Sequence, residues 1–270
     1  MKNRDLQAQF RARFQNWQLA EGKKIFFASD FHLGSYPLAK SRERELIIIE
    51  WLDSIKHEAD ALFLVGDIFD FWYEYRQAVP KGYTRFLGKV AEWADSNIPI
   101  AFFGGNHDMW MWDYFAEEMG IPVFYDCEVW QINQKKIYIG HGDGLGPGDY
   151  TYKFLKKVFR NPFLQWLFRS LHPDIGIGLA RFWSSHSRAT NAKKEEDVFK
   201  GEAQEWLYQY SKKVEQQAHH DYYIFGHRHL PLDLNLSENS QYINLGEWFK
   251  SYSFAEMSAK TVELKYFKKS

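Results

Sequence analysis

Five short runs along the chain follow one plan: an apolar stretch of strand length that ends in glycine and in acidic, amide or imidazole residues. They are KKIFFASD (23–30), ADALFLVGD (59–67), IPIAFFGGNHD (98–108), KKIYIGHGD (135–143) and YYIFGHRH (222–229). A continuous apolar run bounded by a turn signal reads as a strand buried on both faces. Between the first three runs lie KSRERELIIIEWLDSIKHE (40–58) and GYTRFLGKVAEWADSN (82–97), both with apolar residues at helical spacing. Strand, helix, strand, helix, strand predicts parallel pairing through right-handed crossovers. In such sheets ligands sit beyond the carboxyl ends of the strands, and that is where the polar residues of these runs fall.

The rhythm changes after His141. Residues 147–218 read as helical, with Pro147, Pro162 and Pro173 as breakers. This predicts a helical cap inserted over the strand ends, within a single domain spanning 1–270. Strand signals resume at Tyr222, and QYINLGEWFKSYSFAEMSAKTVELKYF (241–267) alternates like antiparallel strands. Inside the expected cap, Leu155, Val158 and Phe159 form one apolar face, and Leu164, Leu167, Phe168 and Leu171 form another beyond Asn161-Pro162. Lys153, Lys156, Lys157, Arg160 and Arg169 are interleaved with them. A basic amphipathic pair suits a peripheral membrane contact or an acyl-chain groove. Periodicity alone favours ordinary helices packed on the core with their basic residues solvated. The N-terminal QFRARFQNWQLA is also amphipathic and carries no assigned function.

Aromatic residues make up 19% of the 270 positions, well above usual, so the chain can bury a substantial core. The formal net charge of −1 gives no global field that selects nucleic acid, and none is expected as a partner. The single cysteine, Cys127, rules out an internal disulfide and a cysteine-based zinc site, and reads as a small buried apolar side chain in a reducing compartment. The first 24 residues hold no apolar signal region, and no run approaches the length of a bilayer span. The expected location is cytoplasmic and peripheral on the inner membrane surface, with no obligate protein partner.

The strand ends carry Asp30 and His32, Asp67, Asn106 and His107, His141, and His227 and His229. Any one of these stretches is an ordinary turn or cap; five of them, in order and each at a strand end, form a pattern. Asp30, His32, Asp67 and His229 would give one divalent ion a mixed oxygen and nitrogen shell. Asn106, His141 and His227 would serve a second, with Asp67 bridging. Such ligands without thiolate suit Mn, Fe or Zn, and a pair of ions activates water for attack on a phosphoryl group. His107 is placed to protonate a leaving group or steady phosphate charge. Asp108 would orient His107 or cap the following helix. Asp70 reads equally as a group supporting a ligand or as a satisfied buried acid. His57, His172, His219 and His220 fall outside the pattern and read as surface or core.

The set DFH…GD…GNHD…GH…GHRH resembles the calcineurin-like metallophosphoesterases, over most of the chain. The resemblance implies an α/β fold, a four-layer α/β/β/α sandwich, with a dinuclear centre, often Mn. It assigns the same seven metal ligands: Asp30, His32, Asp67, Asn106, His141, His227 and His229. Further stretches, GDIFDFWYE, HGDGLGPGDYTYK, RNPFLQWLF and HSRATNAKKEED, resemble one branch of that family, the UDP-2,3-diacylglucosamine pyrophosphatases of lipid A synthesis. This likeness implies hydrolysis of a lipid-linked UDP-sugar to UMP and 2,3-diacylglucosamine 1-phosphate. It implies substrate contacts at Asn106, Asp149, Ser187, Asn191, Lys194 and His227, to which the reading of the residues themselves adds His107, and turns the cap reading toward acyl binding. Read for itself, HSRATNAKKEED is a loop running into a charged helix, with Thr190 or Asn191 as cap. One departure stands out: the pyrophosphatase pattern has Arg where this chain has His107, a fixed charge replaced by a titratable ring. Two other functions share parts of the pattern: a phosphoesterase acting on another phosphodiester, nucleotide or phosphoprotein, and a non-catalytic scaffold, which typically loses metal ligands that are all present here.

Overall fold

The computed structural model describes residues 2–146, 150–179 and 198–267. Two sheets face each other. The first runs β11-β10-β1-β2-β3-β4, in which β1 (Lys24–Ala28), β2 (Ala59–Val65), β3 (Ile100–Phe103) and β4 (Val123–Phe124) are parallel. β10 (Ser253–Met257) and β11 (Val262–Tyr266) extend it antiparallel. The second runs β5-β6-β7-β9-β8. Its centre, β6 (Lys135–Gly140), β7 (Tyr222–Phe225) and β9 (Gln241–Leu245), is parallel, and β5 (Glu128–Ile132) and β8 (Pro231–Asn235) close it antiparallel.

Strand alternation explains the layering. Ile25, Phe27, Ala61, Phe63, Val65, Ala101 and Phe103 point at the second sheet and meet Ile137, Ile139, Ile224 and Ile243. Their neighbours Phe26, Ala28, Leu62, Leu64, Ile100 and Phe102 point outward. There they meet α2 (Leu38–Ile55), α3 (Thr84–Asp95) and α4 (Tyr114–Met119). Both faces are apolar, so the strands read as unbroken hydrophobic runs even though the period is two. α2 buries Ile47, Ile48, Trp51 and Leu52, and α3 buries Phe86, Val90 and Trp93, each on one stripe. Truncating Trp51 or Trp93 to Ala would cost about 3–5 kcal/mol.

α1 (Asn3–Arg13) closes the edge between the sheets with Leu6 and Phe10. The amide of Asn3 donates to the Val123 carbonyl and accepts from its N–H, which covers the open edge of β4. Between β6 and β7 come α5 (Tyr150–Phe159), α6 (Pro162–Arg169), α7 (173–179) and α8 (Trp206–Glu215). The expected cap span includes α8, whose Leu207 and Tyr208 pack on Tyr223, Phe225 and Tyr242 as the outer layer of the second sheet. α5 and α6 instead lie against the loops that follow β2, β3 and β6.

Candidate active site

Asp30 and His32 follow β1, Asp67 follows β2, and Asn106 and His107 follow β3, all at carboxyl ends of the first sheet. His141 follows β6, and His227 and His229 follow β7, at the carboxyl ends of the second. The residues therefore converge from two sheets, where the sequence pattern had suggested alignment along one. The backbone at Asp30, His32, Asp67, His227 and His229 is left-handed, with φ between 43° and 68°. Residues with a Cβ adopt that region at a cost, and such strain clusters at functional sites. Asp30 N–H donates to the Gly66 carbonyl at 3.0 Å and His32 N–H to the Asp67 carbonyl at 2.9 Å, locking two of the bends.

The side chains make two overlapping groups, joined by a third, His32, Asp67 and His107, whose donor atoms also lie within 4.8 Å of one another. In one, Asp30 Oδ1 lies 3.2 Å from His229 Nε2 and 3.7 Å from His32 Nε2. In the other, His141 Nε2 lies 3.3 Å from Asp67 Oδ2 and 3.4 Å from Asn106 Oδ1. Donor atoms of Asp67, His141 and His227 all lie within 4.8 Å of one another, as do those of Asp30, His32 and His229. Asp67 Oδ2 also approaches His32 Nε2 at 3.7 Å, so it faces both groups.

These residues fit divalent cations. Asp30 Oδ1 is buried without a hydrogen bond, facing two imidazole nitrogens; a buried carboxylate oxygen left in that state calls for a positive partner. His141 Nδ1 lies 2.9 Å from the Val65 carbonyl. The carbonyl can only accept, so Nδ1 carries the hydrogen and Nε2 keeps its lone pair for the cluster. The electrostatics agree. Burial alone would raise Asp30 and Asp67, yet the surrounding imidazoles hold both well below the usual carboxylate range. Burial works against protonation of His32 and His141, but Asp30, Asp67 and Asp70 hold His32 up to about 9, and chiefly Asp67 and Asp30 hold His141 up to about 10. Burial and the His141 charge push His227 down to about 4. Concentrated buried anionic charge draws protons onto the neighbouring imidazoles, a role a metal ion fills better.

His107 sits beside this cluster. Its backbone N–H donates to Asp67 Oδ1 at 2.9 Å, its Nδ1 lies 3.0 Å from the Asp70 carbonyl, and burial lowers its pKa. Asp108 serves a different purpose from the one expected. Its carboxylate accepts main-chain N–H groups from Gly105, Asp67, Ile68 and Phe69, at 2.8–3.3 Å. It ties the loop after β2 to the loop after β3, far from any helix start: α4 begins at Tyr114. Burial and the nearby Asp67 push the Asp108 carboxyl up to about 7, against amides that favour the anion. Asp70 is buried, with Oδ1 3.7 Å from His32 Nδ1 and 3.9 Å from His107 Nδ1, near enough to act on both rings by charge but beyond hydrogen-bond reach. Asp149, Ser187, Asn191 and Lys194 lie outside the described residues.

A family model for calcineurin-like phosphoesterases matches residues 23–231. The chain belongs to that family. This phosphoesterase is 39% identical over 255 residues to a UDP-2,3-diacylglucosamine hydrolase from Porphyromonas gingivalis, covering 89% of its own length and 96% of the relative's. A protein of the same name from Proteus mirabilis is 27% identical over 242 residues, with 88% and 96% covered. Among solved structures, that of Vacuolar Protein Sorting 29 from Cryptosporidium parvum is 13% identical with a TM-score of 0.41, covering 92% of this chain and 99% of that one. The phosphoesterase is a metal-dependent hydrolase.

Two features of its site escaped the sequence pattern. Arg44 of α2 is buried and donates to the Phe31 carbonyl (2.7 Å), the His32 carbonyl (2.8 Å) and Ser35 Oγ (2.6 Å). It holds the loop that presents Asp30 and His32. Its one signal was position: Arg44 shares a helical stripe with the apolar Ile47, Ile48 and Trp51. Arg44→Ala leaves two buried carbonyls without this donor, at about 1–3 kcal/mol each. A lowered melting temperature of the metal-free protein would register this. The second feature is how α5 and α6 are anchored. Asp143, two residues after His141, accepts from Lys156 Nζ and Tyr152 OH at 2.5 Å. Tyr73 OH donates to the Gln165 carbonyl and Trp110 Nε1 to that of Phe159.

Gly105 is needed where it stands. A Cβ there would run into Asp67 Oδ1 and the Asp67 backbone nitrogen. Gly105→Ala should displace the carboxylate that both groups share and lower kcat by about 10²-fold or more. Unchanged kcat would show that Asp67 tolerates the shift.

Proposed function

We propose that this phosphoesterase hydrolyses the pyrophosphate of UDP-2,3-diacylglucosamine to UMP and 2,3-diacylglucosamine 1-phosphate. The observation that carries the reading is the pair of donor groups meeting at Asp67, in a chain with 39% identity to a hydrolase of that name. Asp30, His32 and His229 would hold one divalent ion and Asn106, His141 and His227 a second, with the Asp67 carboxylate facing both. Mn suits this set of imidazole, carboxylate and amide donors. Such ions supply a water ionised at neutral pH and neutralise phosphoryl oxygens.

The protein's own residues do the rest. Asn106 is a neutral ligand, which limits negative charge where an anionic pyrophosphate must enter. His107 Nδ1 donates to the Asp70 carbonyl, so the second ring proton is carried at Nε2. Burial lowers the affinity for that proton in the free protein, and the charge of a bound pyrophosphate raises it. His107 then gives the proton to the leaving oxygen. Asp149, Ser187, Asn191 and Lys194 contact the phosphate and sugar, together with Asn106, His107 and His227. Asp108 acts by holding the two ligand loops together.

The cap within 147–218 takes the acyl chains. Phe154, Phe163, Trp166 and Leu167 of α5 and α6 are exposed beside Lys153 and Lys157, a surface suited to a bilayer and its anionic headgroups. No helix among the described residues is long and apolar enough to cross a membrane, and the protein would work from the cytoplasmic side as a peripheral enzyme. Comparing UDP-2,3-diacylglucosamine with UDP-N-acetylglucosamine tests this. Burial of two acyl chains at about 0.8 kcal/mol per CH₂ predicts a kcat/KM at least about 10²-fold higher for the lipid. Equal values would leave a phosphoesterase with no use for a lipid substrate.

A further inference from the structure

A metal-ligating histidine usually has its outer ring nitrogen fixed by a hydrogen bond. His141 follows that rule through Val65. His32 does not: its Nδ1 is buried without a hydrogen bond, and the nearest acid oxygen, on Asp70, is 3.7 Å away, too far for one. Among the described residues none reaches Nδ1 of His229 either. Yet these two rings must hold their orientation at Asp30, and His229 is the more exposed of them, with 30% of its side chain accessible against 1% for His32.

What both rings touch is Phe249. Its ring lies 5.5 Å from that of His32, tilted by 31°, and 6.2 Å from that of His229, tilted by 43°. The Arg44 guanidinium sits 4.2 Å from the Phe249 centroid, a cation–π contact from the same arginine that holds the His32 carbonyl. The loop under Phe249 is equally fixed. The buried Glu247 carboxylate accepts the N–H groups of Phe249, Lys250 and Ser251 and the Ser251 hydroxyl. Trp248 N–H donates to the Asp30 carbonyl at 3.3 Å. A rigid loop thus places one aromatic face against two imidazoles that lack hydrogen-bonded backing.

We infer that Phe249 is the positioning residue of the Asp30–His32–His229 group, fixing the two imidazoles by ring packing and so setting that group's affinity for a divalent cation separately from the group around His141. The inference rests on the dinuclear reading above. The test is a titration of metal-free, full-length protein with Mn(II), counting bound ions by electron paramagnetic resonance. Wild-type protein should take up two ions. Phe249→Ala should bind one of them about 10-fold or more weakly and the other as before. Phe249→Tyr should restore the wild-type curve. Phe249→Leu, which keeps the bulk without the flat ring, should repeat the selective loss in a protein that packs normally. Two ions bound with wild-type affinity by Phe249→Ala and Phe249→Leu would overturn the inference, as would equal weakening of both. A wild-type protein that binds fewer than two ions would overturn the dinuclear reading and this proposal with it.

Discussion

Asp67→Asn should reduce turnover by about 10³-fold or more and leave the protein with fewer than two bound metal ions. The substitution keeps shape and volume, so packing is not the cause. It removes the carboxylate that faces His32 at 3.7 Å and His141 at 3.3 Å, the one group common to both halves of the site. A shared anionic ligand stabilises charge on both ions, and a loss of about 4 kcal/mol at the transition state corresponds to about 10³ in rate. Metal content by elemental analysis and kcat on the same preparation check the two parts together. Full metal occupancy with little loss of rate would mean that Asp67 is a structural acid and that the two groups work independently.

His107→Ala should behave differently. It should lower kcat by about 10²–10⁴-fold, the range for a lost general acid, while both ions stay bound. His107→Arg adds a second reading of the same position. An arginine keeps positive charge at every working pH, but cannot give up a proton. If His107 donates its proton to the leaving oxygen, wild-type kcat falls as pH rises through the pKa of His107 in the substrate complex, because the neutral ring has no Nε2 proton to give. The Arg variant should lose that alkaline limb. A limb retained in His107→Arg would place the titrating group elsewhere and leave His107 as a phosphate-binding residue.

The strand ends were legible in the sequence because a parallel strand buried on both faces is an uninterrupted apolar run, and its turn must follow at once. Asp30, Asp67, Asn106, His141 and His227 all stand within three residues of such a run. The distribution of those strands over two sheets was not legible from pattern, since β3 and β6 look alike and differ only in what they pair with; resemblance supplied the sandwich. α8 looks like its neighbours in the cap, and only its contacts with Tyr223 and Tyr242 place it in the outer layer. The roles of Asp108 and Phe249 were hidden for a related reason. Asp108 joins the nearby Gly105 amide to main-chain amides 39 to 41 residues away, and Phe249 acts through rings more than 200 residues earlier or 20 before it. Long-range contacts of that kind leave no local spacing to read.

The most direct test of the account is UMP release from UDP-2,3-diacylglucosamine by the purified protein, with Mn, with a chelator, and with His141→Ala in place of wild type. The account predicts release that Mn supports, that chelation removes, and that the variant loses. Metal-dependent cleavage of a simple phosphodiester by the same preparation, with no UMP from the lipid substrate, would keep the metal site and contradict the substrate.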